Sequence, residues 1–315
     1  MNKKEVIEKI ELLKRQKKVI ILAHYYVADE VQDIADFVGD SLELARKASL
    51  TDAEIIVLCG VHFMAETAKI LSPNKKVLIP DMSSGCPLAD SIDVMKLSKF
   101  KEKYPNYYVV NYVNTSAEVK SESDIICTSS NAVDIVRDIE ADKIIFGPDM
   151  NLGIYVKNQI KDKEIVLWNG HCPIHQNFSV EKLQKLKEKY PNALVLAHPE
   201  CNQEVLKYAD FIGSTSKILN FSQNCENTDL IIATEPGIIN QMKKISNSKN
   251  YIPLPPIQEK EMSICFNMKK HNVEKVLYTI ENEANEIILE ANISKKALIP
   301  ITKMLEMSVK LGLVK

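Results

Sequence analysis

The sequence predicts an α/β protein built from three analogous αβα units, each with a parallel sheet, arranged around a pseudo-threefold axis. Three observations carry this reading. Short apolar strands alternate with helix-length segments along the chain, the order expected of parallel sheets covered on both faces. The stretch ADFVGDS at 35–41 returns as ADFIGSTS at 209–216, with SDIICTSSNAV at 123–133 a looser third copy, and self-similarity at a long period marks a repeated unit. Finally, a cysteine follows the last strand of each repeat, in DMSSGCP, NGHCP and SICFNM.

The chain of 315 residues begins MNKKEVIEKIELLKRQ, where Val6, Ile7, Ile10 and Leu13 recur at helical spacing among charges. That is an amphipathic helix and not a signal peptide. VIILAHYY (19–26), YYVVNYVNTS (107–116) and ALVLAHPEC (193–201) read as the first strands of the three units. EIIVLCGVHF, KIIFGPDMNL and DLIIATEPGI follow downstream, and KVLIPDMSSGCP, EIVLWNGHCP and the YIPLPP stretch leading to ICFNM close each unit. Residues 1–90 then form the first unit, 91–177 the second and 178–290 the third. The segment ISKKALIPITKMLEMSVKLGLV, apolar at Ile293, Leu298, Ile301, Leu305 and Val309, is expected to be a helix within 291–315 that joins the first unit. Pro300 predicts a kink or a late start there.

Net charge is −2, and no basic stripe or tail is present. That argues against nucleic acid as a partner. No run approaches the roughly 20 apolar residues that span a bilayer, so no membrane association and a cytoplasmic location are expected.

Seven cysteines stand at 59, 86, 127, 172, 201, 225 and 265. Their number is odd and no CxxC occurs, so a disulfide framework is not expected. Cys59 and Cys127 end apolar runs and read as small buried hydrophobes, and Cys225 as a loop thiol. Cys86, Cys172 and Cys265 are different. They lie 86 and 93 residues apart at equivalent places, after the last strand of each unit. Ligands of open α/β sheets bind outside the carboxyl ends of the strands, so three units around one axis bring the three thiols together.

Thiolates favour zinc or an iron–sulfur cluster. A [4Fe–4S] cluster normally takes four cysteines. With three, one iron keeps an open position and acts as a Lewis acid. Zinc held by three thiolates and a water is the competing reading. His24, Tyr25 and Tyr26 end the first strand of the first unit, Tyr112 and Asn114 that of the second, His198 and Glu200 that of the third. Ser41, Ser129 and Thr215 stand where helices begin, suited to carboxylate or phosphate oxygens or to plain N-capping. His62, at a strand-to-helix turn, reads as structural.

Taken together, AHYYVADEVQDIADFVGDSLELAR, GVHFMAETAKILSP, VLIPDMSSGCPLADS, YVNTSAEVK, CTSSNA, HPEC, GSTS and CFNMKK resemble the quinolinate synthase A family of de novo NAD biosynthesis. The resemblance runs from residue 19 to the C-terminal helix. It implies three α/β domains around one [4Fe–4S] cluster with one iron not ligated by cysteine, on Cys86, Cys172 and Cys265. It also implies a transferase that condenses iminoaspartate with dihydroxyacetone phosphate to quinolinate, phosphate and water. The family's substrate-binding positions fall on His24, Ser41, Tyr112, Asn114, Ser129, His198, Glu200 and Thr215, with His175 a further site histidine. Tyr26 matches a residue of the catalytic steps. Glu200, with His198 beside it, is the expected general base, while Tyr26 and His24 would handle the triose. A transient contact with L-aspartate oxidase, which produces the imine, is also expected. Val27 stands where the family commonly has Gln, and His271 and Asn272 where a Thr is frequent. The CxxC of some relatives near Cys265 is missing, so no disulfide switch is expected there. Two other readings are a [4Fe–4S] hydro-lyase acting on a hydroxy acid and a non-catalytic iron–sulfur sensor. Neither needs a triose phosphate, and the sensor needs a recognition surface.

Overall fold

The structure, a computed structural model, describes residues 1–258 and 263–313. Strands β1 (Val19–His24), β2 (Phe37–Gly39), β3 (Ile55–Cys59) and β4 (Lys76–Leu78) form one sheet. A second holds β5 (Tyr108–Tyr112), β6 (Ile125–Cys127), β7 (Lys143–Gly147) and β8 (Glu164–Leu167). The third holds β9 (Leu194–Ala197), β10 (Phe211–Ile212), β11 (Asp229–Ala233) and β12 (Asn250–Pro253). Every pairing is parallel, and within each sheet the order is second, first, third, fourth strand. Helices cover both faces, which is why a strand such as β3, IIVLC, is apolar and buried along its whole length.

The repeat is exact down to single hydrogen bonds. Asp36, Asp124 and Asp210 each stand just before the second strand of a unit. Their carboxylates accept the backbone N–H of Ile21, Val109 and Val195, at 2.8, 2.7 and 2.8 Å. Their own N–H groups donate back to the carbonyls of the same three residues. Each aspartate thereby sets the register between the first two strands of its sheet. Gly39 and Gly213 are a matched pair too. A Cβ there would stand 2.8 Å from the ring of Phe37 or Phe211 and 2.9 Å from the Cβ of Glu43 or Lys217. The glycine lets the strand run directly into the following helix.

Two segments sit elsewhere than the sequence suggests. The helix Val273–Asn282, within the span assigned to the third unit, packs on the N-terminal helix Lys3–Lys17. Just after it, Ile287 N–H donates to the Val77 carbonyl at 2.8 Å, and Glu286 bridges Leu78 in antiparallel fashion. The chain after Cys265 therefore returns to complete the first unit. The C-terminal helix runs unbroken over Ala291–Lys310 with Pro300 inside it. It lies mainly on the second unit, against the helix Ala117–Ser121 and β6, with a smaller contact on the helix His62–Leu71 of the first. The reason is its buried stripe, Ala297, Pro300, Ile301, Met304 and Ser308. Pro300 is buried in the packed face, and Ser308 Oγ accepts from the buried Asn131 side chain at 2.9 Å. Leu298 and Val309, expected in the stripe, are exposed. Among the described residues no helix is long and apolar enough to cross a membrane.

Ile301 is fully buried in this seam, so Ile301→Ala is expected to destabilise the protein by about 2–5 kcal/mol. Leu298→Ala should stay within about 0.5 kcal/mol of the parent. Urea unfolding followed by circular dichroism measures both.

Candidate active site

With the first strand of each unit lying inside its sheet, between the second and the third, the order in which strands are added reverses beside its carboxyl end. A crevice opens there. The three crevices face one cavity of about 390 Å³. The residues expected at the site line it, His24, Tyr26, Ser41 and Cys86 from the first unit, Tyr112, Asn114, Ser129, Cys172 and His175 from the second, His198, Glu200, Thr215 and Cys265 from the third, except Tyr25, whose hydroxyl instead donates to Glu43 at 3.3 Å. Cys59 and Cys127 are fully buried within their sheets. Cys225 caps the helix Thr215–Asn224 and lies against the Lys249 ammonium, 3.4 Å away. His62 begins the helix His62–Leu71, with Nδ1 3.6 Å from Glu66.

The three cavity cysteines share one local backbone form. Each carbonyl accepts the N–H four residues on, Asp90 for Cys86, Gln176 for Cys172 and Lys269 for Cys265, at 3.0, 2.9 and 3.1 Å. Proline follows Cys86 and Cys172 as the first residue of the short helices Pro87–Asp90 and Pro173–Gln176. Proline suits that position because its missing N–H would find no partner anyway. The turn also aims backbone N–H groups at the sulfurs, from Leu88 and Ala89, from His175, and from Asn267 and Met268. Burial dominates the metal-free thiols, pushing Cys86 up to about 12 and raising Cys172 and Cys265, with those N–H groups opposing it. Such N–H groups favour an anionic sulfur.

Around the thiols runs a connected chain of hydrogen bonds. Glu200 Oε2 is 2.9 Å from His175 Nδ1. On the other side of the ring, His175 Nε2 is 2.9 Å from Thr234 Oγ1. Thr234 Oγ1 is 2.6 Å from the Tyr26 hydroxyl, which is 2.7 Å from Thr215 Oγ1. With one proton per group the chain closes without conflict. Thr215 donates to Tyr26, Tyr26 to Thr234, Thr234 to Nε2, and Nδ1–H to the carboxylate. Burial opposes ionisation of Glu200, but His198, His175 and the Tyr112 hydroxyl outweigh it and hold the carboxyl at about 2. Burial lifts the Tyr26 and Tyr112 hydroxyls well above the usual phenol range.

The other two imidazoles are kept neutral. Burial lowers His24 to about 4 and His198 to about 3. Nδ1 of His24 accepts from Tyr26 N–H at 3.2 Å. Nδ1 of His198 accepts from Glu200 N–H at 3.4 Å, and its Nε2 lies 3.1 Å from Ser129 Oγ. Each ring therefore carries its proton on Nε2. The rings of His175 and His198 stack, with centroids 4.7 Å apart.

Ser41 and Thr215 are the first residues of the helices Ser41–Leu50 and Thr215–Asn224, but neither is the cap. Asp40 accepts from Leu42 and Glu43 N–H, and Ser214 from Lys217 N–H. The hydroxyls of Ser41 and Thr215 are thus released from capping. Ser129 lies before the helix Ala132–Asp138, whose N-terminal turn is closed by Asn131 accepting from Thr128 N–H at 2.6 Å. Asn114 Oδ1 is buried in the cavity wall with no hydrogen-bond partner among the described residues, so it offers an acceptor to a ligand.

The sequence reading missed Thr234, which bonds Tyr26 and His175 behind the cavity, and Glu235, which lines it. Thr234 follows β11 at the place where His198 follows β9, and that equivalence was the available signal. Glu235 is fully buried, and burial pushes its carboxyl up to about 7 against the pull of Lys269, 3.2 Å away. Asp149, also buried, accepts Cys172 N–H at 3.0 Å and Leu152 N–H at 2.7 Å, fixing the second cysteine's loop.

Cys172, His175 and Glu200 offer donor atoms within 4.8 Å of one another, a set able to hold a metal. The direct contact between the His175 and Glu200 donors leaves little room for an ion between them. Among the described residues the three cysteine sulfurs do not form so tight a set.

Residues 8–306 match the family model described as quinolinate synthetase A protein. The chain is 50% identical over 305 residues to a quinolinate synthase of Sulfurihydrogenibium sp. (strain YO3AOP1), covering 97% of this chain and 99% of the relative. It is 48% identical over 306 residues to one of Synechocystis sp., covering 97% and 96%. Against one of Alkaliphilus metalliredigens it is 47% identical over 306 residues, covering 97% and 99%. On a match that spans nearly every residue, and on a cavity walled by all three repeats, the protein belongs to the quinolinate synthetase A family, enzymes that make quinolinate for NAD biosynthesis.

Proposed function

We propose that this cavity condenses iminoaspartate with dihydroxyacetone phosphate to quinolinate, phosphate and water, with a [4Fe–4S] cluster on Cys86, Cys172 and Cys265. The observation that carries the cluster is the threefold repetition of one cysteine turn, with backbone N–H groups directed at each sulfur. The sulfurs are spread more widely than the donors of a single ion, which favours a cluster over zinc. No fourth equivalent cysteine follows in the repeat, so one iron has no cysteine ligand. When bound, the cluster supplies a Lewis acid for the loss of hydroxide from a substrate carbon.

The protein groups divide the remaining work. Glu200, ionised and hydrogen-bonded to His175, is the base for a substrate proton, and through His175 and Thr234 it orients the Tyr26 hydroxyl. Burial keeps Tyr26 protonated, so its hydroxyl acts on the triose as a hydrogen-bonding acid and not as a phenolate base. Positioned acid–base groups typically contribute about 10²–10⁴-fold in rate. Neutral His24 and His198 present Nε2–H as donors to keto or carboxylate oxygens. Ser41, Ser129 and Thr215, with the helix N-termini behind Ser41 and Thr215, suit the phosphate and the carboxylates. Tyr112 holds Glu200 and, with Asn114, orients the substrate. Burial of the whole set keeps water from the reactive imine. We further propose a cytoplasmic location, where thiols stay reduced, and a transient contact with L-aspartate oxidase that shortens the imine's exposure to water. The hydro-lyase and sensor readings gain nothing from the family match.

Anaerobic purification followed by iron and sulfide quantitation tests the cluster. About four of each per chain is expected, the content of one cubane, and zinc without sulfide would overturn it. Glu200→Gln should keep its iron and lose turnover by about 10²–10⁴-fold. Normal turnover in that variant would remove Glu200 from the chemistry. Cys172→Ala should lose iron and activity together, while Cys225→Ala keeps both.

The neutral histidines also set an acid limit. Because the fold depresses His24 and His198 below their ordinary 6.5, the unfolded chain takes up their protons first. Their stabilisation is present above pH 6.5 and declines as pH falls toward about 4, where His24 itself titrates. The melting temperature of metal-free protein should therefore fall between pH 7 and pH 5, and His198→Gln should make that fall shallower. A parallel slope in parent and variant would contradict the assignment.

A further inference from the structure

Glu235, Lys269 and Gly237 meet at a point that none of the steps above uses. Glu235 Oε2 accepts Gly237 N–H at 2.6 Å. Its Oε1 lies 3.2 Å from Lys269 Nζ and 3.4 Å from Cys265 N–H. Lys269 N–H in turn donates to the Cys265 carbonyl at 3.1 Å. Both backbone groups of the third cysteine are thus held by the same pair, one by each partner. Lys269 Nζ also donates to the Val27 carbonyl at 3.2 Å, next to Tyr26.

The acidic partner is sealed in, while Lys269 keeps part of its side chain at the surface. Glu235 is fully buried. At Gly237, a Cβ would meet Glu235 Oε2 at 2.7 Å, the Tyr25 carbonyl at 2.7 Å and Lys269 Nζ at 2.8 Å. Its φ is −57°, so glycine is needed there for space and not for conformation. Gln32, itself buried, donates to the carbonyls of Tyr25, Val27 and Gly237 at 2.8, 3.1 and 3.0 Å. Three loops are therefore riveted together: 25–27 with Tyr26, 234–237 with Thr234, and 265–269 with Cys265.

We propose that the Glu235–Lys269 pair is a positioning device that fixes Cys265 relative to Tyr26 and Thr234, so that one corner of the cluster site and the proton chain share a single mount. The proposal rests on the cluster reading above. A charge pair is used here where an apolar contact would pack equally well because only directional bonds orient a backbone N–H and carbonyl at once. Glu235 and Lys269 are positioning residues that act through Cys265 and Val27.

Two variants test it. Glu235→Gln removes the charge and sets an amide against one donor. Gly237→Ala leaves both partners chemically intact and displaces them by its methyl group. In metal-free protein, alkylation by iodoacetamide is followed residue by residue by mass spectrometry. In both variants Cys265 should react faster by about tenfold, the effect of losing one charge-assisted hydrogen bond, while Cys86 and Cys172 keep the parent rate. In loaded protein, release of iron to a chelator should accelerate similarly. Unchanged Cys265 labelling in both variants overturns the proposal, and so does an equal rise at all three cysteines, which marks general loosening. If Glu235→Gln does not fold, Gly237→Ala decides alone. Parent protein without iron and sulfide would instead defeat the cluster reading itself.

Discussion

In a parallel sheet whose first strand lies between its second and third, the chain leaves that strand toward one side and later returns on the other. Its carboxyl end opens on a crevice that neither crossover fills. This protein applies that constraint three times in one chain. The three aspartates at 36, 124 and 210, each bonded in both directions to the first strand of its sheet, keep the three crevices in the same geometry. The cavity follows from this, because the segments that wall it leave strands held in fixed register.

Facing three polar strand ends toward one volume removes water from many ionisable groups at once. The groups answer by bonding to each other. Glu200 stays ionised because His175 and the Tyr112 hydroxyl donate hydrogen bonds to it, whereas His24 and His198 give up their charge. A buried polar network is stable only when its members are satisfied. The chain from Thr215 through Tyr26, Thr234 and His175 to Glu200 meets that condition with each proton placed. Asn114 Oδ1, left without a partner among the described residues, belongs to a residue that lines the cavity. The cysteines obey the same logic, since the N–H groups aimed at three half-buried sulfurs favour their anionic form.

The closing of the molecule did not follow the repeat. A strict threefold would give each unit its own covering helices. Instead the segment after Cys265 returns to the first unit, and the last helix crosses to the second. Both moves stitch neighbouring units together across the axis, at His271 on the Gly60 carbonyl and Ser308 on Asn131. Unit boundaries drawn from strand repeats miss such exchanges because a helix with one apolar stripe carries no label for the sheet it will cover.

The succession of strands and helices, the parallel sheets and the convergence of Cys86, Cys172 and Cys265 were determined by the sequence itself. Period-two and continuous apolar runs report burial locally, and equivalent positions in a repeat must occupy equivalent places in space. The residues at strand ends were found for the same reason. What only the tertiary structure decided are the contacts between units. Thr234 and Glu235 look like ordinary residues after a strand until Tyr26 of another unit is brought against the first and Lys269 against the second. Asp40 and Ser214 took the capping role, which freed Ser41 and Thr215 to face the cavity. Such roles depend on distances across hundreds of residues of chain, and a pattern with a local period contains no such distances.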